Sequence, residues 1–260
     1  MRLSVNSLSQ GYGDKIVIRD INMEAESGEV VTILGPNGTG KSTLIKTICN
    51  IMQPKEGSIE IDGRDIRGIT RKDYAKIVGY VPQTSSFFGI STVYDTVLIG
   101  RRPYVNWSYT KKDIEIAADS MIKMKVDDLY DRNVNELSGG QRQRVTLARS
   151  LAQDPSFYIF DEPTSALDLR NQLDTLKVMR NIIKEKNACM VIAMHDLNLA
   201  LRYSDKVLVI KDSRTYNFGP TEEVITERMI KDVYGVDAEI VEGRTGRFIH
   251  AFDAELDAIM

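Results

Sequence analysis

A short glycine-rich stretch that ends in a lysine and a serine is the first place where this sequence could do chemistry. Residues 35–42 fit the pattern G-x-x-x-x-G-K-[ST] and follow the apolar run Val30–Leu34. Glycines let the backbone curl so that its N–H groups point at phosphate oxygens, and a helix after the loop adds its positive end. Lys41 supplies a full positive charge, and the Ser42 hydroxyl suits Mg²⁺. The pattern predicts a nucleoside triphosphate site formed by Gly35, Pro36, Asn37, Gly38, Thr39, Gly40, Lys41, Ser42 and Thr43.

Two neighbouring carboxylates follow a second apolar run. The run 157–160 ends at Asp161 and Glu162, which places the pair at the carboxyl end of a predicted strand, where parallel sheets bind ligands. We expect Asp161 to hold Mg²⁺, directly or through water. Because adjacent residues leave a strand in opposite directions, Glu162 is available to orient and deprotonate an attacking water. The pair favours hydrolysis, although a kinase that uses a substrate hydroxyl in place of water stays open.

A second helix start is also suited to an anion. Leu137 is followed by Ser138, Gly139, Gly140 and Gln141, and then by apolar residues at helical spacing. One nucleotide has a single terminal phosphate. This second helix start therefore predicts a contact with a nucleotide bound elsewhere, most simply on a second copy of the chain.

The phosphate loop, the sequence Leu-Ser-Gly-Gly-Gln, the acidic pair and His195 before Asp196 occur in the order seen in ABC transporter ATPases, which the chain resembles over nearly its whole length. The resemblance implies ATP and Mg²⁺ as cofactors and a head-to-tail homodimer that closes around two ATP molecules. It also implies integral membrane permease subunits as partners and, through them, an extracellular substrate-binding protein. Nucleic acid is not among the implied partners.

The resemblance also gives roles to single residues. Tyr12 resembles the aromatic residue that stacks on adenine, although an ordinary turn tyrosine stays open. Gln83 resembles the glutamine that reaches Mg²⁺ and the attacking water, and His195 the histidine that contacts the terminal phosphate. Asp168 lies in a segment that resembles the loop crossing to the other protomer, and it also fits the N-cap of the next helix. Glu162, His195, Lys41 and Gln83 are thus the implied catalytic group, and Ser42, Gln83 and Asp161 the implied metal ligands.

Three further segments resemble the importers of iron-siderophore, haem and cobalamin compounds. They are residues 195–200, residues 101–103 and the tail 224–236. The usual histidine after Pro103 is Tyr104 here, which leaves this subgroup open. A non-transport ABC ATPase, such as a cofactor-assembly scaffold, is the alternative. Chromosome-type ABC ATPases are excluded because no long coiled coil separates Lys41 from Ser138.

Alternating strands and helices predict an α/β fold with a mainly parallel sheet covered on both faces. The resemblance specifies a P-loop NTPase with an N-terminal antiparallel β subdomain and an inserted helical subdomain. The expected domain is 1–260, with the core at 1–86 and 155–260 and the helical insert at 87–154. Apolar spacing further predicts an N-terminal hairpin and a C-terminal strand pair, and helices at 41–52, within 92–126, at Leu169–Lys186, from Leu197 and within 221–234.

Composition is that of a globular protein, with 42% hydrophobic and 27% charged residues. The net charge of −3 gives no reason to expect a bulk nucleic-acid or anionic-lipid ligand. The longest apolar run, 188–194, is far shorter than the ~20 residues of a membrane-spanning helix, and the first residues lack a signal-peptide core. We therefore expect the chain to stay in the cytoplasm, with Cys49 and Cys189 as buried thiols in a reducing compartment. The resemblance, through its permease partners, implies a peripheral position at the cytoplasmic face of the cell membrane.

Overall fold

The computed structural model describes residues 1–83, 91–244 and 246–252. The chain folds into two compact units. The first unit combines Met1–Asp65 with Val191–Met260, and the second unit is Ile66–Met190. The predicted boundary between residues 86 and 87 lies outside the described residues, so the predicted subdomain limits stay a prediction.

The first unit begins with an antiparallel sheet. Strands β1 (Arg2–Tyr12) and β2 (Lys15–Glu26) form the hairpin predicted from the alternating apolar residues. Strand β4 (Glu56–Ile61) pairs antiparallel with β1, and β5 (Arg64–Asp65) pairs with β4, which gives the order β2-β1-β4-β5. The buried side chains of this sheet, such as Leu3 and Ile59, alternate with exposed ones, as expected when one face of a sheet is covered.

A second group of strands in the first unit carries the phosphate loop. Strand β3 (Val30–Leu34) is buried at every position, which explains its continuous apolar sequence. It pairs in parallel with β9 (Lys206–Lys211), and β10 (Arg214–Pro220) pairs antiparallel with β9. The sequence reading missed β10, since Tyr216 and Phe218 are its only large apolar or aromatic residues and its other positions are polar, glycine or proline.

Helices and a hairpin complete the first unit. Helix α1 (Lys41–Ile48) follows β3, and α7 (Leu197–Tyr203) follows the strand β8 (Cys189–Ala193), which begins in the second unit and ends in the first. The tail folds into α8 (Thr221–Val224), α9 (Glu227–Tyr234) and the hairpin of β11 (Asp237–Gly243) and β12 (Gly246–Phe252). The strand pair predicted near the end of the chain is thereby confirmed.

The second unit is mainly helical. Its helices are α2 (Arg71–Ile77), α3 (Val93–Leu98), α4 (Lys111–Lys123), α5 (Gly139–Gln153) and α6 (Leu169–Lys186). Strands β6 (Val78–Val81) and β7 (Phe157–Asp161) pair in parallel. The predicted bounds of α6 are confirmed: Asp168 caps its start, and Asn187 in left-handed conformation ends it.

Four sequence predictions need correction. Helix α1 ends at Ile48, four residues before the predicted end, because Asn50 takes a left-handed φ of 55° and the Ile51 N–H turns back to the Lys46 carbonyl. The predicted helical tract 92–126 is interrupted by a 3₁₀ segment at Ile99–Tyr104 and restarts at the Thr110 cap. The tract 221–234 is two helices, since Thr226 caps α9. Cys189 is buried as predicted, but Cys49 is only half-buried.

Within the described part of the chain, no helix combines the length and the apolar character needed to cross a membrane.

Candidate functional site

The phosphate loop of the first unit connects β3 to α1 in a conformation that two of its glycines require. Gly35 has a φ of 150°, and a Cβ placed there would lie 2.4 Å from the Ile210 carbonyl oxygen. Gly40, the N-cap of α1, has a φ of 102°, and a Cβ there would lie 2.3 Å from Cγ2 of Ile18. Any side chain at either position would collide with its surroundings. The backbone conformation and the lack of space at Gly35 and Gly40 therefore both require glycine at these two positions of the predicted loop.

Lys41 is the buried cation of this loop. Its side chain is folded back over the loop, where Nζ donates hydrogen bonds to the carbonyl oxygens of Gly35 at 2.7 Å and Pro36 at 3.1 Å. The residue is only 5% exposed. Ser42 is half-buried in the first turn of α1, while Asn37 and Gly38 are exposed at the tip of the loop. The arrangement places a full positive charge at the N-terminus of α1, which is the electrostatic condition for binding phosphates.

The first unit also carries His195 and Tyr12. His195 is exposed directly after β8, and the next residue, Asp196, caps α7 by accepting a hydrogen bond from the Leu199 N–H at 3.0 Å. Tyr12 ends β1 and is 53% exposed, as a residue that stacks on a ligand must be. The role of Tyr12 in adenine stacking stays a prediction.

In the second unit the structure brings Gln83 and Glu162 together. Asp161 ends β7 and is 3% exposed, and the half-buried Glu162 follows it with a left-handed φ of 51°. The Gln83 side-chain amide donates a hydrogen bond to Oε2 of Glu162 at 2.6 Å. Two residues 79 positions apart in the sequence therefore meet at the end of β7, and their roles toward Mg²⁺ and water stay predictions.

The predicted metal ligands supply the donor atoms that suit Mg²⁺. A carboxylate from Asp161, a hydroxyl from Ser42 and an amide oxygen from Gln83 are all hard oxygen ligands, which Mg²⁺ prefers to nitrogen or sulfur. The Gln83 nitrogen faces Glu162, so its Oε1 is the atom left for a cation. Among the described residues, no group of three or more His, Cys, Asp or Glu side chains forms a separate metal site.

Helix α5 starts with a capping box. The Ser138 hydroxyl accepts a hydrogen bond from the Gln141 N–H at 3.3 Å, and the Ser138 N–H donates to Oε1 of Gln141 at 2.9 Å. Ser138 and Gly139 are exposed. The start of a 15-residue helix thus faces the surroundings, with its first N–H groups and its positive dipole end accessible to an anion.

The loop before α6 packs against this helix start, a contact that the sequence reading missed. A Cβ on Gly140 would lie 3.4 Å from Cδ2 of Leu167, and one on Gly139 would lie 4.0 Å from Cβ of Ala166. The next residue, Asp168, accepts hydrogen bonds from the Asn171 backbone at 2.8 Å and from its side chain at 2.9 Å. These bonds, led by the backbone one, lower the pKa of Asp168. The predicted N-cap role of Asp168 is confirmed, whereas its contact with another protomer stays a prediction.

A second missed contact is that of Tyr234 at the end of α9, a residue of the tail 224–236 to which the sequence analysis gave no place near the phosphate loop. Its hydroxyl is buried beside the Gly35 backbone of the phosphate loop, and burial raises the pKa of Tyr234 to about 12. The phenol is therefore neutral throughout the physiological range. No local pattern shows this contact, because Gly35 lies about 200 residues earlier in the chain.

Known proteins share both the sequence and the fold. The family model described as ABC transporter matches residues 18–165. An uncharacterized ABC transporter ATP-binding protein of Methanocaldococcus jannaschii is 46% identical over 240 residues, which are 92% of this chain and 94% of that protein. The iron(3+)-hydroxamate import ATP-binding protein of Bacillus subtilis is 36% identical over 241 residues, covering 92% of this chain and 90% of that protein.

A solved structure agrees with these relatives. It is an ABC transporter assigned to the metal-chelate type in an inward-facing conformation, with a TM-score of 0.83, 27% identity and coverage of 98% of each chain. The predicted α/β P-loop NTPase fold is thereby confirmed, and so is the predicted resemblance. ATP is the nucleotide of this family, and Mg²⁺ is the general cofactor of its hydrolysis. The chain belongs to the ABC transporter family, as an ATP-binding subunit that hydrolyses ATP to drive transport.

Proposed function

We propose that this ATPase powers the import of a metal chelate of the iron-siderophore, haem or cobalamin type. Two similarities support the proposal: the relative that imports iron(3+)-hydroxamate and the transporter of metal-chelate type. Both cover nearly the whole of this chain, so the likeness extends beyond the ATP-binding motifs that all ABC ATPases share. The first of these similarities favours iron chelates within the class.

Tyr104, which replaces the usual histidine of this subgroup, fits the second unit well. Its ring lies 4.1 Å from the Arg101 guanidinium carbon, and its hydroxyl donates to the Asp154 carbonyl oxygen at 3.3 Å. The ring contact lies within the 3₁₀ segment, and the hydroxyl contact joins that segment to the C-cap of α5. The replacement therefore serves local packing, and it gives no argument against the proposed cargo.

We assign the ATP site as follows. The phosphate loop, from Gly35 to Thr43, binds the phosphates, and Tyr12 stacks on adenine. Ser42, Gln83 and Asp161 hold Mg²⁺, which neutralises charge on the phosphates when bound. The observation that carries the catalytic assignment is the Gln83–Glu162 hydrogen bond, because it fixes a carboxylate at the end of β7. Glu162 deprotonates the attacking water, and His195 contacts the terminal phosphate.

The active form in this proposal is a homodimer. Each ATP lies between the phosphate loop of one copy and the start of α5, Ser138 to Gln141, of the other, with Asp168 in the loop that crosses the interface. The exposed capping box supports this, because it leaves the N-terminus of α5 open to an anion. The phosphate loop already binds the nucleotide of its own chain, so the start of α5 is available for the nucleotide of another copy. ATP favours the closed dimer because it binds there more tightly than in the open one.

Permease subunits are the proposed membrane partners, at the cytoplasmic face of the membrane, and the permease in turn receives cargo from an extracellular binding protein. In the second unit, Ile99 is 54% exposed and Trp107 is 99% exposed. Large apolar side chains exposed to this degree are candidates for burial in a protein interface. We place the permease contact there.

The decisive experiment isolates the tagged chain from native membranes in mild detergent. We expect integral membrane subunits to co-purify, and the reconstituted complex to hydrolyse ATP faster with a ferric siderophore, haem or cobalamin and its binding protein. The Lys41→Ala variant is the control that separates assembly from hydrolysis, since it should assemble but not respond. Recovery of the wild-type chain with soluble proteins only would favour the cofactor-assembly alternative.

A further inference from the structure

A cavity of about 460 Å³ lies in the first unit, where α7, the start of α8 and the beginning of β12 meet. Volumes of roughly 300–1,000 Å³ are typical of small-molecule sites. The residues that line it have no place in the proposed ATP site. They include Asn198, Leu199, Arg202, Glu222, Arg247 and Phe248.

One wall of the cavity is held rigid by a paired hydrogen bond. The Ile249 N–H donates to Oδ1 of Asn198 at 2.7 Å, and Nδ2 of Asn198 donates to the Ile249 carbonyl oxygen at 3.3 Å. These bonds fasten β12 to α7, and the buried Ile249 side chain adds apolar contact. A ligand would thus find a wall that is already formed, which lowers the entropic cost of binding.

The charge of the lining favours an anion. Arg202 and Arg247 contribute two guanidinium groups, against the single carboxylate of Glu222. In the part of the chain that the structure describes, Arg247 has an ion pair with Glu242 at 4.0 Å, and the Glu242 side chain is 79% exposed. A pair at that distance in water is weak. A guanidinium group can donate two parallel hydrogen bonds to two oxygens of a carboxylate or a phosphate.

The apolar part of the lining indicates an organic ligand. Phe248 is 43% exposed, and Leu199 lies on the same cavity. An inorganic ion gains nothing from such surface, whereas a carbon skeleton does. We propose that this cavity binds a small organic anion that carries carboxylate or phosphate groups.

Calorimetric titration of the full-length chain in magnesium-free buffer tests the site, with citrate as the carboxylate probe and phenyl phosphate as the phosphate probe. We expect at least one probe to bind, and Arg202→Gln/Arg247→Gln to weaken it by about tenfold or more, because charge-assisted bonds are lost. Arg228→Gln is the matched control, since the Arg228 side chain is 89% exposed on α9. If the double variant does not fold, Arg247→Gln and Phe248→Ala are measured singly.

Two results would overturn the proposal. One is that neither probe binds the wild-type chain. The other is that binding survives in the arginine variants but is lost in Lys41→Ala, which would place the probe in the phosphate loop.

Ligand binding in the cavity should alter the rate of ATP hydrolysis, because α7 connects the cavity to His195; this inference rests on the proposed role of His195. The helix begins directly after His195, and its residue Leu199 lines the cavity while bonding to the Asp196 cap. At fixed free Mg²⁺, a saturating probe should change kcat of the wild-type chain but not of Arg247→Gln. An unchanged wild-type kcat would refute this regulation, while the binding titration still decides the site.

Discussion

At the scale of single residues, the most informative feature is the backbone of Glu162. A left-handed φ in a residue other than glycine costs on the order of 1–3 kcal/mol unless its surroundings enforce it. Here the half-buried side chain is held by Gln83, while Asp161 before it is buried in β7. Strain of this kind concentrates at functional sites, since it aims a side chain where regular structure cannot.

We predict that Glu162→Gln keeps ATP binding and loses turnover. The amide keeps the size of the side chain and can still bond to Gln83, but it cannot accept a proton from water. Hydrolysis should fall on the order of 10²- to 10⁴-fold, the contribution of a positioned general base. Phosphate release and nucleotide binding are the two measurements. Glu185→Gln, at an exposed position near the end of α6, should behave as wild type, and fast hydrolysis by Glu162→Gln would mean that another group is the base.

Sequence reading finds residues whose chemistry demands a fixed local spacing. Lys41 and Ser42 follow from the loop pattern, and Glu162 from its place after an apolar run. The contacts of Tyr234 and Leu167 could not be found in this way, because each residue touches a neighbour that is remote in the sequence. Their side chains are ordinary core or loop residues until the fold shows what they touch.

At the scale of elements, a buried ion pair holds the 3₁₀ segment against α4 and α5. Nε of Arg101 lies 2.9 Å from Oδ1 of Asp113, and Nη1 of Arg101 donates to the Ala152 carbonyl oxygen at 2.8 Å. The side chains of Arg101 and Asp113 are 7% and 8% exposed. Hydrogen bonds from the Thr110 side chain and backbone, followed by Arg101, lower the pKa of Asp113 to about 2. Arg101, noted in the sequence as a subgroup marker, is therefore a structural residue.

We predict that Asp113→Asn lowers the free energy of unfolding at pH 7 by about 3–5 kcal/mol, since it leaves Arg101 buried without its counter-charge. The folded pKa of Asp113 lies below the unfolded value of about 4, so its contribution is complete above pH 4 and is lost as pH falls towards 2. Urea unfolding between pH 7 and pH 3 should accordingly be less steeply pH-dependent in the variant. Asp119→Asn breaks an exposed pair with Lys123 on the same helix and should cost under about 1 kcal/mol. Equal effects of the two variants would contradict this account.

The ends of helices can be predicted from the sequence only where local start and stop signals are present. The bounds of α6 are readable because Asp168 and Asn187 are local start and stop signals. The predicted end of α1 at residue 52 was wrong. Ile51 and Met52 continue the apolar spacing in the sequence, but the left-handed conformation of Asn50 turns the chain before them. Strand β10 was missed because pairing with β9, rather than its own composition, makes it a strand.

At the scale of the whole molecule, the proposed dimer makes each nucleotide depend on the start of α5 in the other copy. Family membership fixes the reaction, but the dimer is a proposal that depends on Lys41 and on the exposed start of α5. If those groups act across an interface, a defect in one can be complemented by a partner with a defect in the other. If they act within one chain, no mixture of the two defects can recover activity.

We therefore predict that Lys41→Ala and Gly139→Asp are each inactive alone and active when mixed. Gly139→Asp adds a negative charge that repels the terminal phosphate, yet an acid in the first turn suits the helix dipole, and the space beside Gly139 is open to 4.0 Å. A mixed dimer has one site with intact Lys41 and an intact partner helix start. Random pairing should restore roughly a quarter of the wild-type hydrolysis rate, because about half of the dimers are mixed and each has one working site. Gly139→Asn, without the charge, should retain more activity than Gly139→Asp, and a mixture as inactive as its components would show that the nucleotide is not shared between two copies.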